Sequence, residues 1–349
     1  GLLQGQNLGL QLESLLVHTN EIDDFNRLPI PFRAVATDIA SGEAVIFDHG
    51  HLPLAIRASL ALPGFFSPVE VDGRLLVDGV LSKNLPIDVA RAMGVDRVIV
   101  VDIGTPLKST QELKSVLDIM DQTTTLLTRA NSEKQLATLG PQDPLLQPQL
   151  GDMGFNSFER SAEAIEAGAA SLRTSHQALS FINPGEPVSG GNLASARPQR
   201  QAIIDAIEVD NSGKVADEVV LAMIRQEVGE PLNLARLQTD MGTVYGTDYF
   251  SRVTYDGHNT LLIHTAGRRT GTDYLRLGLN LVDDFEGGSQ YNIGASFRVN
   301  GLNPLGAEWL TRLQVGAHQI LYSEFYQPLD YGSRYFIAPF VDGESRNIE

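Results

Sequence analysis

RASLALPGFFSPVEVDGRLLVDGVLSKNLPID, residues 57–88, places an apolar strand, Leu75-Leu76-Val77, directly before Asp78-Gly79 and a polar turn that closes on Asn84-Leu85-Pro86. A carboxylate that ends a buried strand and is followed by glycine sits at the carboxyl edge of the strands, where open α/β sheets assemble their sites. Alone, an Asp-Gly pair also marks an ordinary turn, because both residue types tolerate left-handed backbone. On either side, residues 1–185 alternate strand and helix signals, with strands expected at 32–37, 44–47, 75–77 and 97–103 and helices at 87–93 and 110–138. Val98-Ile99-Val100-Val101 is apolar on both faces, as expected of a strand covered by helices on each side. The stripe Leu113, Val116, Leu117, Met120, Leu126 and Leu127 predicts a helix packed against that sheet.

Four segments, in this order, resemble the later half of a patatin-like phospholipase domain: VATD ending at Asp38, RASLALPGFFSPV, the Asp78-Gly79 pair, and NLPIDVARAMGVDRVIVVDIG. LLQPQLGDMGF at 145–155 and the small-residue helix at 161–173 resemble the closing portion of bacterial members. The resemblance implies a three-layer α/β fold. It also implies that a serine on a Gly-x-Ser-x-Gly elbow attacks an ester, with the aspartate of an Asp-Gly-(Gly/Ala) motif as its base and no histidine. Asp78 and Gly79 fall on that motif, with Val80 where the family has Gly or Ala. Neither a Gly-x-Ser-x-Gly elbow nor a glycine-rich oxyanion segment occurs in these residues. The nucleophile is therefore expected in polypeptide on the N-terminal side. Because a serine nucleophile needs both a base and an oxyanion hole, this polypeptide by itself is expected to be inert. Asp38, Arg57 and Asp102 are read as fixing the sheet rather than touching substrate.

Other chemistries find little support. The seven histidines form no His-Glu-x-x-His pattern. His49-x-His51 beside Asp48 lacks a nameable third ligand and reads as a solvated loop. No Ser-x-x-Lys, Walker or dinucleotide-binding pattern is present, so no cofactor and no metal is implied. Acidic residues outnumber basic ones 43 to 26, and the net charge of −17 repels phosphate backbones, which argues against a nucleic-acid partner. Zero cysteines excludes disulfides and thiolate metal sites.

After residue 185 the texture changes. NPGEPVSGGNLASARPQR, at 183–200, is rich in Gly, Pro and Ser and reads as a linker over 186–200. Residues 201–270 then read strand, helix, helix, strand, strand, with Asp256-Gly257 setting a hairpin, and resemble a POTRA domain. From 271 to 349, YLRLGLNL and SQYNIGASFRVN alternate apolar and polar residues with period two, and three further runs follow. Segments of about ten such residues with tyrosine or tryptophan near their ends suit tilted transmembrane strands, although a soluble antiparallel sheet alternates in the same way. The module order resembles the bacterial surface lipases of the type Vd autotransporter route. The expected fold is thus the C-terminal part of a patatin-like α/β domain, a small α+β POTRA-like domain, and the first antiparallel strands of an outer-membrane β-barrel cut short at its C-terminal end.

The function implied is acyl-ester hydrolysis of lipids by a Ser-Asp dyad, at the surface of the outer membrane or beyond it. Two alternatives stay open: a non-enzymatic secretion or assembly protein carrying an inactive patatin-like passenger, and a soluble hydrolase with an accessory β-domain. The partners implied are a phospholipid or other acyl-ester substrate and the outer membrane. A homo-oligomer is admitted as well.

Overall fold

A computed structural model describes residues 5–20, 22–104, 107–111, 113–154, 157–175, 179, 203–257, 259–267, 274–283 and 289–346. The expected linker at 186–200 lies outside them. The chain divides into two units, Gly1–Gln4 with Ile22–Arg197, and Gly5–Glu21 with Pro198–Glu349.

In the first unit, β1 (Ala34–Asp38), β2 (Ala44–Phe47), β3 (Val69–Val71) and β4 (Arg74–Asp78) form an antiparallel sheet in the order β2-β1-β4-β3, with Ala36 opposite Asp78. The strands are short and rich in alanine and valine, and β1 is buried along nearly its whole length. Side chains alternate between the two faces. Ala36, Val69 and Leu76 cluster with Ala58 and Ala61 of α2 (Leu52–Ser59) and the residues just after it. Val35, Thr37 and Val77 are buried on the other face, toward α3 (Val80–Lys83). A helix on each face of one sheet gives the layered α/β arrangement. α4 (Ile87–Ala92) follows.

Two expectations from the sequence fail here. The run 97–103 forms only a two-residue strand, β5 (Val100–Val101), parallel to β6 (Leu145–Leu146). Val98 and Val100 pack with Leu85 and Ile87, while Val101 is 50% exposed, so the described residues cover one face of the run and not both. The second concerns α5 (Val116–Leu136), which begins at a Ser115–Asp118 capping box. Its stripe does not pack on a sheet: Val116, Ile119, Met120, Leu126 and Leu127 are exposed. The helix instead turns Asn131 and Ser132 toward α3 and the Asn84 that follows it. α6 (Ser161–Thr174) completes the described part of this unit.

The second unit contains a small α+β module: β7 (Ala206–Asn211), α7 (Asp217–Leu221), α8 (Leu234–Gly246), β8 (Phe250–Asp256) and β9 (Thr260–Gly267). The sheet order is β7-β9-β8, with β7 parallel and β8 antiparallel to the central strand. Leu237, Met241, Val244, Val253, Tyr255, Leu261 and Ile263 fill its core. α1 (Gln6–Leu16) packs into this module. Leu10 joins the apolar core, and the Gln6 amide engages both backbone groups of Val253 on the edge strand β8. Burying Leu10 in a ready-made apolar core stabilises this placement by roughly 1.5–3 kcal/mol on transfer data.

Next come β10 (Tyr274–Asp283), β11 (Ser289–Val299), β12 (Glu308–Gly316), β13 (His318–Pro328), β14 (Phe336–Ile337) and β15 (Phe340–Arg346), all antiparallel to their neighbours. Leu277, Ala295, Leu313 and Leu321 stand in register across four of these strands, as do Leu279, Ile293 and Val315 across three. Most of them are exposed, Leu277 by 78%, which leaves one apolar face bare among the described residues. The same residues do not close the sheet into a barrel.

Candidate active site

Strand β4 carries Asp78 to its C-terminal end, and the chain passes straight into α3. Three backbone-directed bonds hold the aspartate. Its N–H donates to the Ala61 carbonyl at 3.0 Å, its carbonyl accepts the Thr37 hydroxyl at 2.9 Å, and its Oδ1 accepts the Val80 N–H at 2.9 Å. Val80 therefore acts on Asp78 through its main chain, so a side chain larger than the family's Gly or Ala still permits this bond.

Gly79 has φ −63° and ψ −14°, ordinary right-handed backbone, so left-handed freedom is not why glycine stands here. The reason is space. A Cβ at this position would lie 2.3 Å from the Val35 carbonyl oxygen and 2.8 Å from its carbon, both of them backbone atoms that cannot move aside.

The Asp78 carboxyl is half-buried, and no charged side chain pairs with it among the described residues. Burial pushes its pKa up, opposed by the Val80 N–H, which favours the ionised form. Such a group holds a proton more tightly than an exposed aspartate, which is what a base must do to draw a proton from a hydroxyl.

The other residues singled out from the sequence lie in different settings. Asp38 Oδ1 accepts the Ala40 N–H at 2.9 Å and shapes the β1–β2 turn. Arg57 is buried on α2 with its guanidinium carbon 5.1 Å from the Phe66 ring centroid. Asp102 accepts the Gly104 N–H at 3.0 Å and the Gln147 amide at 3.2 Å. His49 pairs with Asp48 at 2.6 Å on an exposed loop, and the described residues contain no group of three metal-ligating side chains.

Sequence reading missed the polar supports of the Asp78 turn. Thr37 Oγ1 lies 2.8 Å from Ser82 Oγ, Asn131 donates to the Leu81 carbonyl at 2.8 Å, and Asn84 donates to Ser132 Oγ at 3.0 Å. The signal was faint. Ser82 follows Asp78 by four residues, and Thr37 stands one place before Asp38.

A family model described as patatin-like phospholipase matches residues 1–91, a span that ends beyond the Asp78 turn. The N-terminal stretch is thus similar to patatin-like phospholipases. An uncharacterised NTE family protein of Mycobacterium tuberculosis is 48% identical over 77 residues, covering 22% of this chain and 21% of that protein. Patatin-like phospholipase domain-containing protein 7 of Mus musculus is 41% identical over 78 residues, covering 22% of this chain and 6% of its own length. Protein 6 of the same name in Homo sapiens is 40% identical over 78 residues, with the same coverage. The chain thus spans about a fifth of the mycobacterial relative and a small fraction of the mammalian ones. Among solved structures, BamA from Haemophilus ducreyi lacking POTRA domains 1–3 aligns over 42% of this chain and 28% of its own, at 13% identity and a TM-score of 0.32. That score is too low to establish a shared fold.

Proposed function

We propose that the protein carrying this chain hydrolyses acyl esters of lipids through a Ser-Asp dyad in which Asp78 is the general base. The observation that carries this reading is the setting of Asp78 at the end of β4, half-buried, anchored through one oxygen and without an ion-pair partner among the described residues. A carboxylate meant only to shape a turn gains from full solvent or a cation, whereas Asp78 is half withdrawn from solvent and has no cation beside it among the described residues.

The chemistry is acyl transfer in two stages. Asp78 takes the proton of a serine supplied by a Gly-x-Ser-x-Gly elbow as the serine oxygen bonds to the ester carbonyl carbon. Backbone N–H groups near that serine hold the oxyanion. The tetrahedral intermediate collapses, the ester C–O bond breaks, and the proton passes from Asp78 to the departing alcohol. Water, deprotonated by the same carboxylate, then releases the fatty acid and restores the serine. The test is Asp78→Asn in the whole protein, assayed on a chromogenic acyl ester. General-base catalysis is worth roughly 10²–10⁴-fold, and a loss on that scale with folding retained is expected. Undiminished turnover in a folded Asp78→Asn protein removes Asp78 from the reaction.

We further propose that β10–β15 belong to an outer-membrane barrel presenting the hydrolase at the bacterial surface or releasing it there. The supporting feature is the bare face of that sheet, where Leu275, Leu277, Leu279, Leu281, Ile293 and Val315 stand exposed. The opposite face carries Arg276, Ser296, Arg312, Tyr322 and Asp342 in register. A transmembrane strand needs one apolar and one wet face in this way. No described helix is long and apolar enough to cross a membrane, which has no bearing on strands. Extraction only with detergent, together with heat-dependent mobility in gels, is expected of the whole protein. A freely soluble whole protein overturns this part.

A further inference from the structure

Two hydroxyls stand behind Asp78, and neither takes part in the acyl transfer. Thr37 is 3% exposed, on the face of β1 that α3 covers. Its Oγ1 lies 2.9 Å from the Asp78 carbonyl oxygen and 2.8 Å from Ser82 Oγ. A hydroxyl has one proton to give, and a carbonyl can only accept. Thr37 therefore donates to Asp78, and the proton of the 2.8 Å contact comes from Ser82. The competing acceptor for Ser82, the Gly79 carbonyl, is more distant at 3.5 Å. The bonds run in one direction, from Ser82 to Thr37 to the peptide that bears the base. On the same side Gly79 presses against the Val35 carbonyl, closely enough that no Cβ fits between them. Strand β1 thus fixes the base-bearing turn twice, by a directed hydrogen bond and by contact.

We propose that Thr37, with Ser82 donating to it, is a positioning residue for the Asp78 base, aiming the carboxylate through the main chain without touching substrate. This rests on the reading of Asp78 as the general base. Valine at position 37 keeps the shape and the strand preference of threonine but removes the donor to Asp78 and the acceptor for Ser82. The turn then relaxes, and the carboxylate moves off line and gains water. A misplacement of about 1 Å costs on the order of 10²-fold in rate, so Thr37→Val is expected to lower kcat by about ten- to a hundredfold with KM unchanged. The acidic limb of the kcat/KM profile should shift down toward the ordinary carboxylate range, because a hydrated carboxyl loses the burial that raised its pKa. Thr37→Ser keeps the donor and should restore both. A smaller folded fraction lowers kcat but leaves the limb in place.

The experiment measures kcat, KM and the pH profile in the whole protein, with its serine elbow present, on a short-chain p-nitrophenyl ester, for Thr37→Val, Thr37→Ser and Asp78→Asn. If a folded Asp78→Asn protein keeps its turnover, the dyad reading is lost and this proposal with it. If Asp78→Asn is inactive while Thr37→Val matches the wild type in kcat and pH limb, the positioning role alone is overturned. The same holds if Thr37→Ser is as impaired as Thr37→Val. Where Thr37→Val does not fold, Ser82→Ala takes its place: a lower kcat with the limb shifted supports the proposal, and wild-type behaviour overturns it.

Discussion

Asp78-Gly79 and Asp256-Gly257 are the same dipeptide at the end of a strand, β4 in one unit and β8 in the other. At Gly257 φ is +105°, the backbone a tight hairpin demands and an L side chain resists. At Gly79 φ is −63°, and only the nearness of the Val35 carbonyl excludes a side chain. The carboxylates differ as well. Asp256 Oδ2 lies 3.0 Å from His264 Nε2, and His264 Nδ1 lies 3.1 Å from Asp210, so Asp256 belongs to a charge pattern spread over three strands. Asp78 has a backbone N–H and burial, with no cation beside it among the described residues. A carboxylate becomes a candidate base when it is kept half-dry and away from positive charge, and the dipeptide alone does not say which has happened.

The largest effect should separate the two aspartates by activity. In the whole protein Asp78→Asn is expected to cost roughly 10²–10⁴-fold in turnover, whereas Asp256→Asn leaves turnover unchanged. Equal losses in both variants, read by the same ester assay, remove the distinction between the two aspartates.

The two glycines sharpen it at the level of stability. Gly79→Ala forces a Cβ onto a backbone oxygen and should destabilise the Ile22–Arg197 unit by about 1–3 kcal/mol, the scale of overpacking in a closed site. Gly257→Ala meets the Thr260 carbonyl at 1.8 Å and should weaken the other unit instead. Hydrogen exchange measured unit by unit checks both, and protection lost in the opposite unit contradicts the assignment.

Asp78 also predicts a pH signature without any activity. Its folded pKa is raised above the ordinary 3.8, so the folded chain holds this proton more tightly than the unfolded one. The stability it contributes is full below 3.8 and is lost as pH rises through the folded value. Asparagine cannot ionise and still offers an oxygen to the Val80 N–H. Asp78→Asn should therefore melt higher than the wild type at pH 7, with the gap closing as pH falls through the folded pKa toward 3.8. A variant less stable at pH 7 argues against a desolvated carboxylate.

How much of this could be read from sequence depended on whether the deciding contact was local. The end of β4 was visible because Leu75-Leu76-Val77 and Asp78 are neighbours in the chain, and the strand-helix-helix-strand-strand order of 201–270 was visible because its apolar runs are continuous. Thr37–Ser82 was not, since it joins residues 45 apart and neither carries a charge or a rare side chain. The partner of α1 is equally non-local, since Leu10 joins a core with Leu237 and Met241, more than two hundred residues along the chain. The α5 stripe failed because periodicity predicts an apolar face but does not provide the surface that covers it.

The smallest expected effect concerns His264, on the side of the comparison where carboxylates are paired. Asp210 and Glu208 of β7 and Asp256 and Arg252 of β8 share its face of the sheet by register. The hydrogen bond to Asp256, aided by Asp210 and opposed by burial, holds the imidazole's pKa above its ordinary 6.5. A raised histidine stabilises the fold fully below 6.5, and that contribution disappears as pH climbs through the folded value. His264→Gln should therefore cost stability at pH 6 and much less at pH 9. The loss at pH 6 should be about 0.2–1 kcal/mol, the scale of partly exposed pairs, and should shrink with added salt. Denaturant melts of this unit at the two pH values decide it. A loss independent of pH makes His264 a packing residue, and the contrast with Asp78 then rests on desolvation at Asp78 alone.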